Sequence, residues 1–382
     1  MHSMDLVNQG NDLRNQKQYE ASLNCYAQAF VLDRANGSAW NNYGNVLREI
    51  GYPDQAIPFL EMALRLDPLS TVSQFNLAVC HLLLGDYARG WPAYESRWNY
   101  EHLAGTLPNP DAPRWQAQDL RDKTILVIGE QGHGDCIQFS RFLGDLHQRG
   151  AHIHLQVTDG LVPLFQGSPI LRSVTGYQDP YPTVDFWSPI MSLPNYLGIT
   201  LDQLARPVSY IGAREDLVMS WRDRLGSKTK LRIGFSWSGR RDAWLNQHKG
   251  MPFDVMCDLI LRNPQYEWIN LQIDATPQEE EILAGLGVIR FPNSITGFHD
   301  TAALIQHMDV VLSVDTAIAH LAGALGRPTW IMLQKFAVDW RWLLDRSDSP
   351  WYSTARLFRQ PDFDDWASVT DQISRYLSWF KV

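Results

Sequence analysis

The sequence predicts α/β architecture with an all-α N-terminal part: paired helices come first, then two parallel-sheet halves. Three observations predict it. Small and apolar residues recur at a 34-residue spacing over roughly the first hundred positions. A stretch rich in proline and polar residues, "GTLPNPDAPRWQAQDLRDK", then breaks the helical period. Beyond it, buried-strand runs alternate with loops and helices, and the pattern occurs twice.

From Gly37 the chain reads Trp40, Tyr43, Gly44, Leu47, Gly51, Ala56, Leu60, Ala63 and Pro68. One period earlier stand Leu6, Gly10, Leu13, Tyr19, Tyr26 and Ala29; one period later stand Leu77, Ala78, Gly85, Tyr87 and Tyr94. Small residues let the two helices of a unit approach, and large ones fill the groove between units. The scheme is similar to the tetratricopeptide repeat, and three units are the minimum that buries a continuous core. The third ends in "GWPAYESRW", where Trp91 and Trp98 serve either a capping helix or a dock onto the C-terminal part of the chain.

After the linker, "TILVIG" (124–129) reads as a buried strand and "GEQGHG" as a loop. A helix is expected over 135–149, ended by Gly150, and "HIHLQV" is the next strand. A second block runs from "LRIGFSW" (231–237) through "EWINLQ" (267–272), a helix near 300–307, "VVLSV", the helix of "SVDTAIAHLAGALG" and "TWIML". "SLPNYLGITLDQLARPVSYIGA" connects the blocks, and "WASVTDQISRYLSWF" is an amphipathic helix expected over the hinge. Two Rossmann-like halves in tandem enclose a cleft where ligands of open α/β sheets bind. The expected division is repeats 1–104, linker 105–122, first half 123–225, second half 226–360 and C-terminal helix 361–382.

Composition excludes several classes. A chain of 382 residues with 45% hydrophobic and 20% charged residues is a multi-domain globular protein. A net charge of -9 argues against a nucleic-acid binder. Cys25, Cys80, Cys136 and Cys257 form no metal-binding spacing, so no metal is expected. No apolar run is long enough to span a bilayer, so no membrane insertion is expected, and the cytoplasm is the expected compartment.

Three clusters carry candidate chemistry. In "SVDTAIAHLAGALG" the first turn holds Ser313, Asp315 and Thr316, then Ala317, with His320 one turn on. Unpaired N–H groups and the positive end of the helix dipole make such a turn a seat for phosphate, with Thr316 and His320 as further donors. A plain N-cap with an interior histidine explains the same residues. In "GEQGHGDCIQF" the glycines Gly129, Gly132 and Gly134 permit tight turns and close backbone approach. Asp135, at the helix start, is either a cap or a general base. In "SWSGRRDAWLNQHKGMP" the cations Arg240, Arg241, His248 and Lys249 are either a solvated loop or part of a diphosphate clamp.

These motifs together resemble the heptosyltransferase superfamily of GT-B glycosyltransferases, in the version fused behind tetratricopeptide repeats in bacteria. "GEQGHGDCIQFSRF" is similar to that family's first loop, and "SVDTAIAHLAGALGRPTW" to its D-T-x-x-H nucleotide-diphosphate motif. "DWRWLLDRSDSPWYSTARLFRQ" is similar to a stretch of the repeat-fused branch; its Trp340, Arg341, Trp342 and Trp351 are read as a mix of core and cleft wall. The resemblance implies that Asp135 is the catalytic base and that Lys249 contacts the donor phosphates. It also implies that Thr316, Ala317 and His320 form the diphosphate turn. Ser236 and Trp237 end the strand leading to the donor, and Gly132, Gly134, Arg240, Gln272, Ser313 and Asp315 complete the donor set. Where the branch commonly has arginine near position 249, this chain has "HKG".

The implied reaction is inverting transfer of a sugar from a nucleotide-diphosphate donor, with no metal and no cofactor. Attached repeats imply a protein acceptor recruited by their surface; a saccharide or lipid-linked acceptor, or a non-catalytic scaffold, are the alternatives. A homodimer is a further expectation.

Overall fold

The computed structural model describes residues 2–99, 108, 110–204, 209–239 and 249–380. Arg240, Arg241 and His248 of the expected clamp lie outside the described residues. The chain forms two compact units. One comprises Met1–Pro108, Gly198–Leu204 and Lys335–Arg346; the other comprises Asn109–Leu197, Ala205–Gln334 and Ser347–Val382.

The first unit holds the repeats as α1 (Ser3–Asn15) with α2 (Tyr19–Leu32), α3 (Gly37–Glu49) with α4 (Pro53–Leu66), and α5 (Thr71–Leu83) with α6 (Tyr87–Tyr94). Side chains of Asn36, Ser70 and Asp86 accept N–H bonds from the first turns of α3, α5 and α6, which fixes where those helices begin. Small residues stand where the repeat reading requires them. A Cβ on Gly10 would lie 2.5 Å from the Tyr26 ring, and one on Gly44 would lie 2.8 Å from Leu60 Cγ and 3.1 Å from the Ala56 carbonyl oxygen. Tyr26, Ala29, Ala39 and Val46 form one buried cluster and Ala56 and Leu60 belong to a second, with the partly buried Leu23, Tyr43 and Ile50 packed against both.

The repeat unit is completed by segments from far along the chain, which corrects the expected contiguous boundary at 104. Phe336 stacks on Tyr19 at 4.7 Å between centroids, and Ala337 N–H donates to the Glu49 carbonyl at 2.8 Å. Trp340 meets the rings of Tyr87, Trp91 and Tyr94 edge-on at 5.4–6.4 Å. Trp91 Nε1 donates to the Ile199 carbonyl at 2.9 Å. The segment thus touches all three repeats, and the core of the array is completed by residues that are not a further repeat. Trp340 and Trp342 therefore belong to this core and not to a cleft wall. Ala337, Leu343 and Asp345 hold positive φ within the segment, a costly backbone kept by its surrounding contacts.

The second unit contains β1 (Thr124–Ile128), α7 (His133–Phe139), α8 (Leu143–Gln148), β2 (His152–Val157), α9 (Val162–Phe165), β3 (Leu171–Gly176), β4 (Phe186–Pro189) and α10 (Leu193–Leu197). The short α11 (Leu201–Leu204) lies in the repeat unit. Then come α12 (Glu215–Leu225), β5 (Arg232–Ser236), α13 (Phe253–Arg262), β6 (Glu267–Asn270), α14 (Pro277–Gly285), α15 (Phe298–Ile305), β7 (Val310–Val314), α16 (Ala317–Ala324), β8 (Thr329–Leu333), β9 (Ala355–Arg359) and α17 (Trp366–Trp379). Among the described residues these make two parallel sheets, ordered β3-β2-β1-β4 and β6-β5-β7-β8-β9. β5, β7 and β8 are buried along their whole length, as parallel strands covered on both faces must be. Each sheet reverses direction beside its first strand, so crevices open at the carboxyl ends of β1/β4 and β5/β7.

Other boundaries differ from the sequence reading for physical reasons. The single helix expected over 135–149 is broken by a 3-10 turn at Ser140–Phe142. Trp115 and Leu120 of the expected linker are buried, and Trp115 exchanges backbone bonds with the Trp187 region of β4. α12 goes with the second half, because Trp221 Nε1 donates to Asp300 on α15. α17 buries Trp366, Val369, Ile373 and Leu377 in the core of the second sheet, and not over a hinge.

Gly44→Val should lower stability by about 1–3 kcal/mol, because one of the atoms it meets is backbone. Gly144→Ala, whose Cβ meets nothing within 4 Å, should be neutral or stabilising by up to about 1 kcal/mol. Urea denaturation followed by circular dichroism distinguishes the two.

Candidate active site

The crevice beside β5 and β7 gathers most of the expected donor residues. Ser236 ends β5 and pairs in register with Ser313, the last residue but one of β7. Ser236 Oγ donates to Gln272 Oε1 at 2.7 Å, the Ser238 N–H reaches the same oxygen at 3.3 Å, and Gln272 Nε2 bonds Asp274. Ser313 Oγ lies 2.9 Å from Thr316 Oγ1. Thr316 is the N-cap of α16 in extended conformation, yet its side chain makes no capping bond. The Thr316 hydroxyl pairs with Ser313, and among the described residues no side-chain bond caps the first turn of α16, so the plain N-cap reading is not met.

Asp315 is buried and faces two cations or potential cations. Lys249 Nζ lies 2.6 Å from its Oδ2, and His320 Nε2 lies 3.8 Å from Oδ1. Lys249 reaches this point because Met251 N–H donates to the Trp237 carbonyl at 2.8 Å, tying its segment to the end of β5. The carboxylate thus anchors the ammonium beside the first turn of α16. Trp237 does not join this group: only 2% exposed, it packs on Phe253 and Phe235 in the core. The expectation that it lies in the donor set is corrected accordingly; its ring follows the alternation of β5 into the apolar layer.

The first-half loop comes to the same place. A Cβ on Gly134 would lie 2.9 Å from His320 Cδ2 and 3.4 Å from Ala317 Cα, so only glycine lets α7 approach the first turn of α16 this closely. Gly129 is needed for a similar reason, with Cys136 Sγ 2.8 Å from its virtual Cβ. The left-handed residue of the loop is not one of the expected glycines but Gln131, at φ 59°. Asp135 is the N3 residue of α7, and its Oδ2 accepts the N–H of the N-cap Gly132 at 2.8 Å. Asp135 is thus not the N-cap itself, and the bond orients its carboxylate one residue from Gly134.

Three residues at the site were not singled out from sequence. Glu130 is buried and accepts the Met191 N–H at 3.0 Å. Tyr352 OH lies 2.9 Å from His320 Nδ1, and its ring fills the space a side chain on Gly323 would take. Tyr210 donates to the Gln138 carbonyl at 3.2 Å. Tyr352 lies within the C-terminal motif of the repeat-fused branch; the other two carry no local signal. Burial pushes the Cys136 thiol up to about 12, and burial also raises the Tyr177 phenol beside it.

A glycosyltransferase family 9 (heptosyltransferase) profile matches residues 294–331, the stretch carrying α15, β7 and α16, and a tetratricopeptide repeat profile matches residues 7–71. The chain is thus similar to tetratricopeptide repeats over one stretch and to family 9 glycosyltransferases over another. Along 90% of its length it is 27% identical, over 378 residues, to Protein FlbA of Caulobacter vibrioides, of which it spans 61%. Among solved structures, E. coli ADP-heptose lps heptosyltransferase II is 16% identical, with 67% of this chain and 98% of that one covered and a TM-score of 0.49. A family 9 glycosyltransferase of Veillonella parvula is 12% identical, with 70% and 92% covered and a TM-score of 0.49. Among the described residues no helix is long and apolar enough to cross a membrane.

Two outcomes check this arrangement. Lys249→Met should cost about 1–3 kcal/mol, less than a fully buried pair because Lys249 is partly exposed, and Asp315→Leu in the same chain should recover most of it. Cys136, protonated at neutral pH, should react with iodoacetamide at pH 8 only after unfolding, as read by mass spectrometry.

Proposed function

We propose that this protein is an inverting, metal-independent glycosyltransferase that moves a sugar from a nucleotide-diphosphate donor to a protein acceptor recruited by its repeats. The observation that carries the reading is the uncapped N-terminus of α16 at the β5/β7 crevice, with Lys249 held beside it by Asp315. Helix N–H groups and an ammonium supply charge where a leaving diphosphate would develop it. In the proposed step Asp135 takes the proton of the acceptor hydroxyl, whose oxygen bonds to the anomeric carbon as the bond from that carbon to the diphosphate oxygen breaks. Attack from the face opposite the leaving group inverts the configuration. The Ser236–Gln272–Asp274 network lies at the end of β5, where such a donor would present its nucleoside.

One observation favours the second reading, a saccharide or lipid-linked acceptor with repeats that serve assembly. The segment from Phe336 to Trp340 already engages all three repeats with residues of the same chain.

A thermal-shift screen against ADP, UDP, GDP and CMP should show stabilisation by one nucleoside diphosphate. Lys249→Ala and Thr316→Ala should each weaken it about five- to tenfold. With the matching labelled sugar donor and a cell extract, label on polypeptide supports the protein acceptor, and label in a protease-resistant saccharide or lipid fraction supports the second reading. Asp135→Asn should lower turnover at least about 100-fold while nucleotide still binds. A wild-type protein that binds none of the four nucleotides would overturn the enzyme reading.

A further inference from the structure

Helix α7 carries Asp135 to the crevice, and the residues that follow it are fastened to the second half by a route the crevice does not use. The 3-10 turn at Ser140–Phe142, which interrupts the helix expected over 135–149, brings Arg141 and Phe142 to the loop before β9. Trp351 of that loop is 1% exposed and packs on Phe139 and Phe142, with ring centroids 5.5 and 6.3 Å apart. Arg141 Nη1 donates to the Trp351 carbonyl at 2.8 Å, and the guanidinium lies 5.6 Å from the Trp351 ring. The loop is itself tied to the second sheet at both ends. The Leu357 N–H on β9 donates to the Ser347 carbonyl at 2.7 Å, and the Thr329 N–H on β8 donates to the Thr354 carbonyl at 3.1 Å.

A hinge between the halves would lie in the chain that joins them, and the described part of that connection is tied to both. The Tyr210 N–H donates to the Ala324 carbonyl of α16 at 3.0 Å, and the Tyr210 hydroxyl donates to the Gln138 carbonyl of α7 at 3.2 Å. The start of α7 is held as well. The His133 ring meets the ring of Phe298, the first residue of α15, edge-on at 5.0 Å.

We propose that Arg141 and Trp351 are positioning residues that interlock the two halves, so that Asp135 stands against the first turn of α16 before any ligand binds. The crevice is then preformed and is not assembled by closure of one half onto the other. Opening would carry the buried rings of Phe139, Phe142 and Trp351 into water together and strip Arg141 of its carbonyl partner. That combined loss of apolar burial and a charged hydrogen bond holds the halves in one register. The interlock is independent of what the crevice binds, since none of its residues reaches the α16 turn.

The test is double electron–electron resonance on the full chain, with spin labels at Gln148→Cys on α8 and Glu281→Cys on α14, both exposed and one in each half. Cys257→Ser removes the one native cysteine that is not buried. The labelled parent should show a single narrow distance, the same with and without ADP or UDP. Trp351→Ala should spread that distribution while circular dichroism keeps its helix and strand signal, and Trp351→Phe should restore most of the narrow peak. Arg141→Ala, which leaves every ring in place, should spread it less and serves alone should Trp351→Ala not fold. A parent distribution that is broad or two-peaked, one that shortens with either nucleotide, or one that neither alanine substitution changes overturns the proposal. A narrow parent distance in a protein that binds neither nucleotide overturns the donor seat and leaves the interlock standing.

Discussion

The close approach of α7 to α16 at Gly134 is the contact on which the site depends. The two helices begin at the switch points of two different sheets, and each sheet alone offers half a binding crevice. A side chain at Gly134 would strike His320 and hold the helices apart. With hydrogen there instead, the oriented carboxylate of Asp135 and the uncapped turn of α16 share one space. The pairing of the strands, the thin first turn of α16 and the bonds behind His320 all serve that juxtaposition.

The polarity of that turn then has a simple electrostatic account. An exposed lysine is a mobile charge, and much of its attraction for an anion is lost in ordering it. Asp315 removes that loss by holding Lys249 in place, at the expense of part of its field. The buried carboxylate would be costly alone, so the pair and the neighbouring imidazole are best regarded as one unit. Its net charge depends on how many protons the three groups carry, and any anion placed at the turn would meet that total as well as the helix dipole.

Much of this was legible in the amino-acid sequence, and the limits have physical causes. "VVLSV" and "TWIML" are strands to the residue because both faces of a parallel sheet are covered, leaving continuous apolar runs. Helix and cap signals placed α16, and glycine spacing marked the α7 loop. What was not legible is contact across distance. Nothing near Tyr210 says that it meets Gln138, and nothing near Phe336 says that it stacks on a tyrosine more than 300 residues earlier. Trp237 was misassigned for a related reason: neighbouring Ser236 faces the crevice, and the alternation of a strand sends the next side chain to the core. Gln131 adopts the left-handed backbone that the adjacent glycines were expected to supply, a choice that local propensity does not reveal.

The closure of the repeat array by Lys335–Arg346 has a consequence in time. A ribosome completes the three helical pairs long before it makes the residues that cover Tyr87, Trp91 and Tyr94. At about 5–20 residues per second, the interval before that segment is synthesised is roughly 12–50 s. During it the nascent array displays an aromatic surface that belongs inside the finished molecule. The core of the N-terminal unit is therefore completed late, although its sequence is the first to appear.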